Sequence, residues 1–149
     1  MIDGFIPVYD KKKDITRFIP FMLDETLSSS DIVYYDGQLV KEWQNEVRDS
    51  LGKDVSIGCR LLMLEEKDFS FCGSSLMLPI RMAYWRRTKG DSFPRYNVLR
   101  VLATGAFDKQ ERLVAVGISQ KLEGLKEQFK DAILFGPDEN CDISNDERQ

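Results

Sequence analysis

A chain of 149 residues is one ordinary domain in length, and its 42% hydrophobic and 31% charged composition is that of a folded globular protein. The sequence contains no histidine, which excludes Ser-His-Asp and Cys-His catalysis, imidazole-bound zinc and any imidazole acid or base within the chain. The net charge of −4 equals that of residues 138–149 alone, where Asp138, Glu139, Asp142, Asp146 and Glu147 face only Arg148, so residues 1–137 are neutral.

A neutral body lacks the basic bias of nucleic-acid binders, and no nucleic-acid partner is expected. The local cluster Arg81, Arg86, Arg87 and Lys89 is read as cations complementing the end of a helix dipole. Cys59, Cys72 and Cys141 show no Cys-x-x-Cys spacing and read as reduced thiols of a cytoplasmic protein; no metal site is expected. The opening residues lack the basic-then-apolar pattern of a leader, and no run approaches 18 apolar residues, so neither export nor a membrane span is expected.

In chain order, residues 2–8 and 14–23 are apolar runs separated by the polar cluster Asp10 to Asp14, which predicts a strand hairpin. Pro7 and Pro20 cannot donate to a ladder and belong at edges, ends or bulges. Asp36-Gly37 precedes Leu39, Val40, Trp43, Val47 and Leu51, spaced on one helical face, and Gly52 follows; a helix over about 37–51 is predicted. Residues 55–64 read as a mostly buried strand and Glu65 to Asp68 as a loop. The run Leu76 to Trp85 is apolar almost all round, a buried helix with Pro79 tolerated in its first turn.

Beyond the loop Gly90 to Pro94, a strand is predicted over Tyr96 to Ala103, a turn at Thr104-Gly105 and a short strand over Arg112 to Val116. A helix then carries Leu122, Leu125 and Phe129 on one face, and a strand follows over Ala132 to Phe135. This alternation is α/β: one compact domain over 1–137 with a mixed sheet and about three helices, followed by a flexible acidic tail over 138–149.

Gly73-Ser74-Ser75 at the mouth of the buried helix places hydroxyls where amides and the helix dipole stabilise an oxyanion, although serines at such positions are ordinarily caps. Lys121 opens the next helix, where positive potential favours the neutral amine; it also reads simply as a solvated lysine. To deprotonate a serine near neutrality its pKa must fall from about 10.4 to roughly 7–8.

The order of these features resembles the proteolytic domain of the Lon proteases, a Ser-Lys dyad family. Residues 101–122, VLATGAFDKQERLVAVGISQKL, resemble that family's strand, Thr-Gly turn, hairpin, glycine and Lys-Leu helix start, and AILFGP at 132–137 resembles the closing strand. Residues 34–39 resemble the upstream helix start more loosely, and the likeness spans about residues 30–140. It implies Ser75 as nucleophile, with Ser74 as competitor, and Lys121 as general base. Thr104 would orient the lysine amine, and Gly73 would admit the substrate backbone beside Ser74.

The resemblance further implies a protein or peptide substrate, no cofactor, a separate ATPase or regulatory partner, and a homo-oligomer. No phosphate loop is present, since Gly52-Lys53 lacks the upstream glycine, so ATP hydrolysis is not expected in this chain. Three departures weaken the likeness: bulky Leu76-Met77 where the family has Ala-Gly, Ala106 where it has an acid, and a hairpin one residue short; the first and the last motivate an alternative, an inactive Lon-like scaffold for oligomerisation or partner binding. A third reading is an unrelated α/β binding domain with Gly73-Ser74-Ser75 as a cap.

Overall fold

The computed structural model describes residues 2–10, 13–52, 54–62, 76–107, 110, 113–114, 123–126, 128–129 and 132–135. Strands β1 (Gly4–Asp10) and β2 (Ile15–Asp24) form the predicted antiparallel hairpin, in register from Gly4 opposite Phe21 to Asp10 opposite Ile15. Alternating apolar residues give each strand a core face, and the polar cluster between them turns the chain, with Asp14 in the left-handed region at φ 51°.

Sheet order is β1-β2-β4-β3, with β3 at Ile32–Val33 and β4 at Gly58–Leu61; β4 is antiparallel to β2 and parallel to β3. Pro7 therefore lies on an edge strand. Pro20 sits where the β2–β4 ladder stops: pairing begins at Phe21 opposite Leu61, and the Pro20 carbonyl accepts from the Leu62 amide at 2.8 Å. The strand predicted over 55–64 is ordered as β only from Gly58, and residues 63–64 lie outside the described residues.

Helix α1 (Gln44–Leu51), entered through a 3-10 turn at Lys41–Trp43, starts later than predicted. The reason is that Asp36-Gly37 turns a hairpin instead of opening a helix. The Gly37 amide donates to the Tyr34 carbonyl at 2.9 Å, the Tyr34 amide to Gln38 at 2.8 Å, and the Val40 amide to Ile32 on β3 at 2.9 Å. Gly37 takes φ +92°, which glycine adopts without strain. The face predicted for the helix is nevertheless the buried one: Val40, Trp43, Val47 and Leu51 enter the main core, and Gly52 caps the helix through its amide on the Arg48 carbonyl at 2.7 Å.

Helix α2 (Met77–Thr88) holds Pro79 in its first turn, as expected, and runs three residues past the predicted end. It is a wall shared by two clusters. Leu76, Ile80 and Ala83 enter the main core with Ile6, Phe21, Leu23, Trp43 and Leu61, whereas Leu78 and Met82 pack with Ala103, Phe93 and Tyr96. Burying aliphatic side chains to this degree stabilises by roughly 1.5–3 kcal/mol each before entropy is counted.

Strand β5 (Val101–Ala103) is shorter than the predicted 96–103, because Asn97 organises a turn: its side chain accepts from the Leu99 amide and its carbonyl from the Arg100 and Val101 amides, all at 2.9 Å. Strands β6 (Ala106–Phe107) and β7 (Leu113–Val114) form a two-residue antiparallel ladder, and β8 (Ile133–Phe135) pairs parallel with β5. Among the described residues the chain is thus mixed α/β, and no helix is long and apolar enough to cross a membrane.

Cys59 on β4 is fully buried and unpaired, and burial, reinforced by the Asp3 carboxylate, pushes its thiol far above the ordinary range. Native protein at pH 8 is therefore expected to leave Cys59 unmodified by a thiol reagent that labels it completely in urea, as peptide mass mapping would show. Rapid native labelling of Cys59 would contradict this burial.

Candidate functional site

Thr104 follows β5 and is fully buried. The next residue, Gly105, turns the chain at φ 149° and presents its carbonyl to the Leu78 amide at 3.0 Å, so the Thr-Gly turn is docked on the first turn of α2. The bond satisfies one of the amides that every helix N-terminus leaves without an internal partner. Pro79 has no amide to place, and the Ile80 amide donates to the Leu76 carbonyl at 3.2 Å. Leu76 turns its side chain into the main core and Met77 is also buried, so neither bulky residue stands out from the mouth of the helix.

The return between β5 and β8 brings a second segment against β5. Parallel pairing obliges the chain to travel back from the Thr104 end of β5 to its start, where the Ile133 amide donates to the Arg100 carbonyl at 2.8 Å. Helical residues 123–126 lie on that return. Leu125 packs with Phe5, Phe18 and Leu102, and the Phe129 ring meets Phe5 and Phe18 edge-on at centroid distances of 5.2 and 5.3 Å. Gly124 is needed for this docking: a Cβ there would stand 2.8 Å from the Thr16 Cβ. Gln128 adds a hydrogen bond from its side-chain amide to the Thr16 carbonyl at 2.8 Å.

Of the residues singled out from the sequence, Thr104 is described: it is buried, and the next residue, Gly105, meets the first turn of α2. Gly73, Ser74, Ser75 and Lys121 lie outside the described residues, as do Leu122, Cys72, Cys141 and the acidic tail. Their neighbours in sequence, Leu76 on one side and Glu123 to Lys126 on the other, belong to the two segments that flank β5. Among the described residues no group of histidine, cysteine and acidic side chains is arranged to hold a metal.

The basic cluster has a structural occupation that the sequence did not disclose. Arg81 caps the neighbouring helix, not its own: Nε donates to the Ser50 carbonyl at 3.2 Å and Nη2 to the Asp49 carbonyl at 3.0 Å, at the negative end of α1. Arg87 and Arg86 reach the buried carboxylate of Asp3 at 2.9 and 3.5 Å, and Asp3 also accepts from the Leu23 amide at 2.7 Å. Asp3 and Arg87 are 84 residues apart, and nothing local marks them as partners. No protein-family model matches this chain, and no curated protein matches it.

Proposed function

We propose that this chain is a Lon-like serine peptidase domain that hydrolyses peptide bonds in unfolded or partner-delivered proteins without ATP hydrolysis of its own. The single observation that carries the reading is the hydrogen bond from Leu78 to Gly105, which joins the segment directly after Gly73-Ser74-Ser75 to the buried Thr104-Gly105 turn. A dyad of this type requires that junction, because the hydroxyl that orients the base must lie beside the helix that carries the nucleophile.

In this mechanism the neutral Lys121 amine takes the proton from the Ser75 hydroxyl as its oxygen attacks the scissile carbonyl. Thr104 holds the amine, and the Met77 and Leu76 amides face the developing oxyanion. Lys121 then protonates the leaving amine, an acyl-enzyme remains, and water activated by the same lysine releases the product. Gly73 and Ser74 line the approach of the substrate backbone. The inward course of Leu76 supports activity, since it removes a large side chain from that approach.

The test is cleavage of an unfolded fluorescent casein between pH 6 and 10. Wild type is expected to cleave with a rate that rises through a titration below about pH 9, and Ser75→Ala and Lys121→Ala are each expected to lose at least 10³-fold. Activity that survives Ser75→Ala overturns the nucleophile assignment. Silence of the wild type, alone and with a candidate partner, favours the scaffold reading. That alternative has its own supporting observation: Ile133, whose amide bonds the Arg100 carbonyl, and Leu99, the residue before Arg100, are 61% and 52% exposed, two large apolar side chains open to a protein contact.

A further inference from the structure

The C-terminal end of α2 and the loop after it form an open pocket of about 350 Å³ lined by Arg86, Gly90, Asp91, Phe93, Arg95 and Tyr96. Its walls are aromatic: Trp85 and Phe93 rings lie 5.9 Å apart, Phe93 and Tyr96 rings 6.2 Å apart, and the Arg86 guanidinium stands 5.3 Å over the Tyr96 ring. Its rim is cationic. Residues 81–100 contain Arg81, Arg86, Arg87, Lys89, Arg95 and Arg100 against a single acid, Asp91. Asp3 offsets Arg87 and part of Arg86, and Arg81 is spent on α1; Arg95 lines the pocket, Lys89 precedes its Gly90 in sequence, and both are exposed, as is Arg100 further along the segment. Arg95 meets Asp91 at 3.2 Å, but both side chains are about nine-tenths exposed, a pair worth little in water.

We propose that this pocket docks an acidic peptide segment, and that its occupant is residues 138–149 of the same chain. Two facts select that occupant. The first is charge: the chain's entire net charge of −4 is carried by that segment, while the densest excess of cations lies on the segment 81–100. The second is reach. Phe135, the last residue of β8, is paired with Ala103, which packs in the same cluster as Phe93 and Tyr96. Residues 136–149, at about 3.3 Å each when extended, span up to roughly 46 Å, several times the length of the two helical turns that separate Leu78 from Arg86. Tethering converts weak exposed ion pairs into an intramolecular contact at millimolar effective concentration. The docked segment would lie two turns of α2 away from the Thr104 junction, so this inference stands apart from the peptidase reading.

Energy transfer in the full chain tests it. The Trp85 ring lies against the pocket's Phe93 and Cys141 lies in the acidic segment, so a dansyl label on Cys141 in a Cys72→Ser/Trp43→Phe background, which removes the chain's other tryptophan, accepts excitation from Trp85, with Cys59 inert. Transfer is expected to be high at about 0.01 M ionic strength and to fall at least twofold in about 1 M salt, where the screening length drops from about 30 to 3 Å. The same fall is expected at low salt in Lys89→Glu/Arg95→Glu, both exposed positions, and in a chain whose five tail acids are changed to amides. Transfer unaltered by these substitutions overturns the proposal. Transfer that grows with protein concentration shows the segment docking on a second copy and overturns it as well. Thermal melts by circular dichroism verify that each variant keeps the fold.

Discussion

Gly58→Ala is expected to destabilise the protein by about 3 kcal/mol, at the upper end of what overpacking costs. Gly58 opens β4, the strand between β2 and β3, and a Cβ there would stand 2.7 Å from both the Asp31 carbonyl oxygen and the Leu27 Cβ. One obstacle is backbone and the other is attached directly to backbone, so no side-chain rotation relieves the contact. The segment over 27–31 is itself held, by the Ser30 amide on Ile57, the Cys59 amide on Asp31, and the hydroxyls of Ser29 and Ser30 on the Val55 and Gly52 carbonyls. Either that network or the sheet must shift. Urea denaturation measures the difference, and Gly37→Ala is the control: it carries φ +92° but meets nothing within 4 Å, so only the left-handed backbone is strained, at about 1 kcal/mol. Equal losses for the two variants would contradict the close approach at Gly58.

Asp3→Ala is expected to cost about 3 kcal/mol, the low end of the range for breaking a buried ion pair. The carboxylate side chain is only 4% exposed, while Arg86 and Arg87 are 26% and 31% exposed, so the arginines regain part of their hydration and the loss is discounted accordingly. What they cannot recover is the Leu23 amide, which loses its acceptor inside the sheet. Asp3→Asn keeps an oxygen for that amide and gives up the charge, and is expected to lose about half as much. A double-mutant cycle with Arg87→Ala isolates the pair, and a coupling below about 0.3 kcal/mol would show the contact to be incidental.

These two sites mark the boundary of what the sequence discloses. The β1–β2 hairpin was legible because period-two apolar runs and a polar turn are local signals. So was α2, whose apolar run exceeds a strand's length and accepts a proline only in its first turn. The start of α1 was misread because Asp-Gly serves equally a helix entry and a hairpin turn, and only the hydrogen bond from Val40 to Ile32 decides. Asn97 shortened β5 in the same way, by a side-chain turn that competes with extension. Asp3 was illegible, being polar in an apolar strand context with its partner on α2. In the candidate site, the position of Thr104 at the end of a strand was readable, while its burial and the docking of Gly105 on α2 are tertiary facts. The bulk of Leu76 and Met77 was readable too, while the burial of both is a tertiary fact.

The anchoring of Asp3 by Arg87 has a consequence for the order in which the chain is assembled. A ribosome releases residues at about 5–20 per second. The hairpin formed by the first 24 residues therefore waits several seconds for α2, and longer for Leu125 and Phe129 to cover Phe5 and Phe18. During that interval β1 is an open sheet edge with an uncompensated acid at its threshold. Contacts of such sequence separation place this domain among slow folders despite its small size. Until Arg87 arrives, the Asp3 charge stands beside an open edge and discourages pairing with another nascent chain; in the finished sheet β1 is still the edge, and Pro7, which has no amide to offer, takes over that part.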